Sequence, residues 1–267
     1  MRCSQLGIIL VLTLLFAAAL ALGRPALAAE LSLSGKVGRA PVLLMLQQKD
    51  GDLSGWYLYL RQAKQIRLEG HIDSKGTFQL AEYAGSDNRK TGSFEGAAQQ
   101  DGWRGIWRKA GGGPALPFTL RQNRSSAEAF DGAFRCSART TDRQFGYTYV
   151  RELNLRLSKG AVTAFSAEQE AVSKAGDQQD CSIGLEDLAQ KPAEGELLLV
   201  SKDEVSDAAP RCAIRIVGAG DYLYIQFGGG TDGNDCRGSD ATMFCSPRAF
   251  WVPMIVNRMT RACRAVE

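Results

Sequence analysis

From Leu31 to Leu120, apolar and polar residues alternate in short runs separated by turn residues at nearly regular spacing. Val42 to Leu46 is a continuous apolar run, and Lys49-Asp50-Gly51-Asp52 turns the chain. Trp56-Tyr57-Leu58-Tyr59-Leu60 follows, rich in aromatic side chains that suit a pleated, half-buried surface. Ile66 and Leu68 alternate with Arg67 and Glu69, and Asp73-Ser74-Lys75-Gly76 makes the next turn. Phe78 and Leu80 alternate with Gln79 and Ala81, followed by a turn at Gly85-Ser86-Asp87-Asn88. Thr91 to Gly96, Trp103 to Trp107 and Leu116 to Leu120 complete the series. Period-two alternation between Gly, Asp and Asn turns predicts antiparallel strands joined by short hairpins. About seven such strands, with no helix between them, predict an antiparallel β-meander, either a curved sheet or a small barrel.

Glycines recur beside the strand aromatics, Gly55 with Trp56, Gly92 with Phe94 and Gly105 with Trp107. A strand glycine weakens its strand unless a bend or a close neighbour needs the space, so each is expected to admit an aromatic ring from the next strand. In pattern, the layout is similar to lipocalin and avidin meanders. That resemblance covers the first module only and transfers no residue role.

The second half reads differently. Leu153, Leu155 and Leu157 alternate with polar residues, Lys159-Gly160 turns, and Val162 to Phe165 returns, which is a hairpin pattern. Glu196 to Val200, Cys212 to Val217 and Tyr222 to Phe227 read as further strands, and Ile183 to Gln190 as a short helix. Ala249 to Val266 is apolar on several sides but is interrupted by Pro253. This predicts a β-rich (α+β) domain. The expected organisation is a leader over 1–28, a β-meander domain over 29–122, a linker over 123–130 and a second domain over 131–267.

The cysteines sharpen that division. Cys136, Cys181, Cys212, Cys236, Cys245 and Cys263 all lie in the second domain, and none lies in the first. Leu6 to Leu22 is almost wholly apolar, Arg2 precedes it, and Ala26-Leu27-Ala28 offers a small-residue cleavage site. Together these read as a secretory signal peptide followed by a disulfide framework, in a periplasmic or secreted protein. The rival reading of the leader is an uncleaved anchor, since the run is nearly long enough to span a bilayer. Six cysteines allow fifteen pairings. The pairing taken is Cys136–Cys263, Cys181–Cys212 and Cys236–Cys245. No second long apolar stretch follows, so no stable membrane insertion is expected after cleavage.

Removing the leader lowers the formal charge from +3 to +1. That balance speaks against nucleic acid as a partner, which needs a clear basic excess. Residues 30–122 carry net +4 and residues 123–267 net −3. His71 is the single histidine, there is no GxSxG motif, and no cysteine pair has CxxC spacing. A nucleophilic triad, a thiolate enzyme and a zinc site are therefore not expected, and neither is a cofactor.

Three candidates remain. The loop Gly228 to Asp235 resembles a calcium-binding nonapeptide repeat, with Asp232, Asn234, Asp235 and Asp240 as oxygen donors. It occurs once, and such repeats work by stacking, so a flexible glycine loop is the preferred reading. Trp56, Tyr57, Tyr59, Trp103 and Trp107 form an aromatic set. Tyr57 and Tyr59 share one strand face while Trp56, Leu58 and Leu60 share the other, so one group is core and the other lines a concavity or patch. Glu82 is in phase with Phe78 and Leu80 and either enters the interior, to orient a ligand or pair with an arginine, or follows a strand end or bulge at Ala81. These features predict a non-catalytic binding protein of the cell envelope or exterior, with a glycan or protein partner, including an inhibitor of a secreted enzyme. The alternatives are a carrier of a small apolar ligand inside the meander and a carboxylate-dependent hydrolase.

Overall fold

A computed structural model describes residues 29–85, 88–123, 130–142, 146–193, 195–202, 213–227 and 252–266. The leader, Cys212, Cys236, Cys245 and the calcium candidates Asp232, Asn234, Asp235 and Asp240 lie outside the described residues, as does the side chain of Cys181. Among the described residues, no helix is long and apolar enough to cross a membrane.

The first module has eight strands rather than seven. They are β1 (Ala29–Val37), β2 (Ala40–Lys49), β3 (Asp52–Tyr59), β4 (Lys64–Ile72), β5 (Thr77–Ala84), β6 (Arg89–Gln99), β7 (Gly102–Lys109) and β8 (Leu116–Gln122). Each pairs antiparallel with the next, and β1 pairs with β8 to close an up-and-down barrel. Closure leaves no sheet edge exposed. The tight turn between β2 and β3 uses Asp50 and Gly51 at φ 52° and 90°, as a two-residue hairpin requires.

Alternation places Leu33, Leu44, Tyr57, Leu68, Phe78, Leu80, Phe94, Trp103, Phe118 and Leu120 in the barrel's interior core. Ring centroids there lie 4.3 Å apart for Phe78–Trp103 and 5.3 Å apart for Phe94–Phe118. Side chains fill the middle of the barrel. Of the three glycines expected to face rings, only Gly92 does. A Cβ at Gly55 would strike the Met45 carbonyl, and one at Gly105 the Glu95 carbonyl. Those two glycines serve close strand-to-strand contact in a strongly coiled sheet.

The second module is a β-sandwich. One sheet has the order β12-β11-β10-β9, formed by β9 (Gly132–Asp142), β10 (Tyr147–Ser158), β11 (Ala161–Ser173) and β12 (Gln178–Gly184). The other runs β13 to β18 in sequence, formed by β13 (Leu188–Ala193), β14 (Glu196–Ser201), β15 (Ala213–Ala219), β16 (Tyr222–Phe227), β17 (Met254–Asn257) and β18 (Cys263–Ala265). The helix expected over Ile183 to Gln190 is absent. Its first residues pair with β11, its last with β14, and only a 3-10 turn at Leu185–Asp187 separates them. Cross-strand pairing on both sides outcompetes a helix too short to be stable alone. Pro192 is tolerated because β13 is an edge strand. Cys136 on β9 and Cys263 on β18 form a disulfide with Cα atoms 5.6 Å apart, tying an edge of one sheet to an edge of the other.

The two modules pack together. Leu43, Met45, Trp56, Leu58, Leu60 and Ala63 on the barrel's outer wall meet Val217, Ala219, Tyr224, Ile255 and Val266. Trp56 and Tyr224 pack with ring centroids 5.3 Å apart and planes tilted by 50°. The six-stranded sheet thus has one face in the sandwich core and the other on the barrel. Beside this contact, Arg215 forms an ion pair with Glu30 of β1 and approaches Glu196 at 3.4 Å.

Candidate functional site

The residues singled out from the sequence separate into three places. Tyr57, Tyr59, Glu82 and Trp107 gather inside one end of the barrel. Trp103 lies deeper, near the other end, against Phe78. Trp56 is on the outer wall, against the second module.

At the barrel end, Glu82 is 5% exposed and its carboxylate accepts three hydrogen bonds. Tyr57 donates to Oε2 at 2.6 Å, Trp107 Nε1 to Oε2 at 2.7 Å, and Thr91 Oγ1 to Oε1 at 2.7 Å. β5 continues to Ala84, with a bulge between Glu82 and Tyr83. The strand therefore does not end at Ala81, and the bulge expected there falls after Glu82, whose carboxylate points inward to hydroxyl and indole donors rather than to an arginine. Gly92 makes room for it. A Cβ there would lie 2.9 Å from both Glu82 Oε2 and Trp107 Nε1. Burial and the neighbouring Glu82 charge push the Tyr57 phenol well above the usual range, and burial raises Tyr59 as well. Since Tyr57 is fully buried, it is not part of an exposed patch. The cluster has the form of a satisfied polar plug, which fixes ring positions at the barrel mouth.

A second arrangement lies on the outer wall. Register pairs Trp56 with Arg67 and Arg67 with Tyr83, giving a row across β3, β4 and β5. The Arg67 guanidinium lies 4.5 Å from the centroid of the Tyr83 ring. Its Nη2 donates to Asn88 Oδ1 at 2.7 Å, and its Nη1 donates to Glu69. This row is the floor of a groove of about 500 Å³, flanked by Gln47, Ser54, Gln65 and Glu69. Its volume is in the usual range for small-ligand sites.

No known protein family, curated protein or solved structure matches this chain.

The groove is therefore read from its own chemistry. It offers amide, hydroxyl, carboxylate and guanidinium groups held over aromatic surface, within a wall of paired strands. Of its members the sequence reading named only Trp56 as a candidate site residue. The signal for the others was present in the alternation, which turns Arg67, Glu69 and Tyr83 outward on adjacent strands, but the pairing register that aligns them was not legible. Two sequence candidates are not brought near it, namely Trp103 and the Glu82 cluster, which face the interior.

Proposed function

We propose that this chain is an exported, non-catalytic binding protein that recognises a glycan in the groove on the barrel's outer wall. The Arg67–Tyr83 pair carries the reading, with Trp56, buried against Tyr224, only backing it. Sugars present hydroxyls on their edges and C–H groups on their faces, and planar polar side chains beside aromatic rings complement both. Arg67 is already oriented by Glu69, Asn88 and Tyr83, so little side-chain freedom is lost on binding. A protein partner is less favoured by the surface. Among the described residues, the large exposed hydrophobic is Met259, on the turn after β17, and it does not line the groove. The carrier alternative is less favoured because aromatic rings occupy the middle of the barrel.

The test is binding of the mature protein to a panel of neutral and acidic oligosaccharides, read by surface plasmon resonance. At least one class should bind, and Tyr83→Ala should weaken it about tenfold or more, as expected for loss of about 1.4 kcal/mol or more of contact. Because Tyr83 is only half-buried, the melting temperature should change little. An inert panel, or a Tyr83→Ala variant that binds as wild type, contradicts the reading.

A further inference from the structure

In an up-and-down barrel, alternate hairpin turns emerge at the same end. Four turns share the end beside the Glu82 cluster, those joining β1 to β2, β3 to β4, β5 to β6 and β7 to β8. Each carries two basic residues at or next to it. They are Lys36 and Arg39, Arg61 and Lys64, Arg89 and Lys90, and Arg108 and Lys109. All eight are exposed. In the sequence of these turns the one acid is Asp87, which lies outside the described residues, and Glu82 is sealed inside by its three donors.

The opposite end has the other sign. Its turns carry Asp50, Asp52, Asp73 and Asp101 against Lys49 and Lys75, with Arg104 paired to Asp101. The module's net charge of +4 conceals this separation, because it sums over both ends. The groove runs toward the basic end. Gln65 and Gly85, which line it, adjoin the turns bearing Lys64 and Arg89.

We infer that the basic end of the barrel extends the groove into a binding surface for an acidic glycan, a sugar chain with regularly spaced carboxylate, phosphate or sulfate groups. This rests on the glycan reading of the groove and names its substrate class. A ring of cations on rigid turns concentrates a polyanion by releasing its counterions, and the groove then engages individual sugar units. Among the described residues of these turns, no large apolar side chain that would enter a lipid surface is exposed. Continuity with a groove of sugar-complementary groups favours a glycan over nucleic acid.

The experiment uses the mature full-length protein with three probes, polygalacturonate, neutral dextran and vesicles containing phosphatidylglycerol, at about 50 and 200 mM salt, a range over which polyanion binding weakens steeply. Polygalacturonate should bind best, and its affinity should fall about tenfold or more across that range. The variant Arg89→Gln/Lys90→Gln/Arg108→Gln/Lys109→Gln should lose about tenfold or more at low salt while keeping the wild-type melting temperature. Lys49→Gln/Lys75→Gln, at the other end, should bind as wild type. A polyphosphate chain and a sulfated dextran then show which anionic group is preferred. Equal binding of polygalacturonate by wild type and the four-site variant overturns the inference, as does tighter binding to vesicles than to any glycan. If neutral oligosaccharides bind and Tyr83→Ala abolishes that binding, while acidic chains gain nothing, the groove reading stands and this inference fails. If no glycan binds, both fail.

Discussion

Glu82 shows how one inward carboxylate organises a barrel end. A buried carboxylate is costly unless donors surround it, and Tyr57, Thr91 and Trp107 provide them. Tyr57→Phe should lower stability at neutral pH by about 1.5–3 kcal/mol, the worth of a hydrogen bond to a charged group. The pH dependence follows from the phenol. In the unfolded chain it loses its proton near its ordinary value of 10.0, whereas burial and Glu82 hold the proton on in the fold. The folded state then binds more protons, so its advantage is complete below about pH 10 and is lost as pH rises above it. Urea unfolding from pH 8 to 11 should show the gap between wild type and Tyr57→Phe shrinking, and a constant gap would contradict the assignment. That Glu82 points inward was legible from its phase with Phe78 and Leu80. Its partners were not, because they come from β3, β6 and β7 and depend on register.

At the scale of elements, alternation located the barrel strands and missed only β1, where Leu31 and Leu33 alternate with Ser32 and Ser34 but Gly35 interrupts the inward phase before Val37. The uninterrupted run Val42 to Leu46 had a meaning the sequence reading did not draw. Both faces of β2 are covered, Leu44 and Leu46 by the barrel core and Leu43 and Met45 by the second module. The same holds for β15 and β16, whose residues are almost all buried. A strand covered on both sides loses its alternation, whatever sheet it belongs to. Ile183 to Gln190 misled for a related reason, since a short apolar segment has no period long enough to separate helix from strand. The groove was half legible. Its outward side chains follow from alternation, but Trp56, Arg67 and Tyr83 come together only through the pairing of three strands.

The whole molecule is a barrel laid on a sandwich, with one sheet shared between two cores. The structure bears out Cys136–Cys263, one of fifteen pairings among which the sequence alone could not choose, and it spans 127 residues of the second module. Removing it with Cys136→Ala/Cys263→Ala should cost about 3–5 kcal/mol, the range for closure of so long a loop. Trp56, Leu58 and Leu60 should still couple the modules, so thermal unfolding should remain a single transition in calorimetry. Two separated transitions would show that the apolar contact does not link them. The charge separation between barrel ends is also a property of the whole, invisible in net charge and set by which turns the topology brings together.

The most direct test of the glycan-binding account is to titrate the isotopically labelled mature protein with an oligosaccharide that it binds and to map amide chemical shifts. The account predicts perturbations clustered at Gln65, Arg67, Glu69 and Tyr83 and spreading toward Arg89 and Lys90. Perturbations centred on Tyr59, Trp107 and the barrel interior, or confined to the second module, would contradict it.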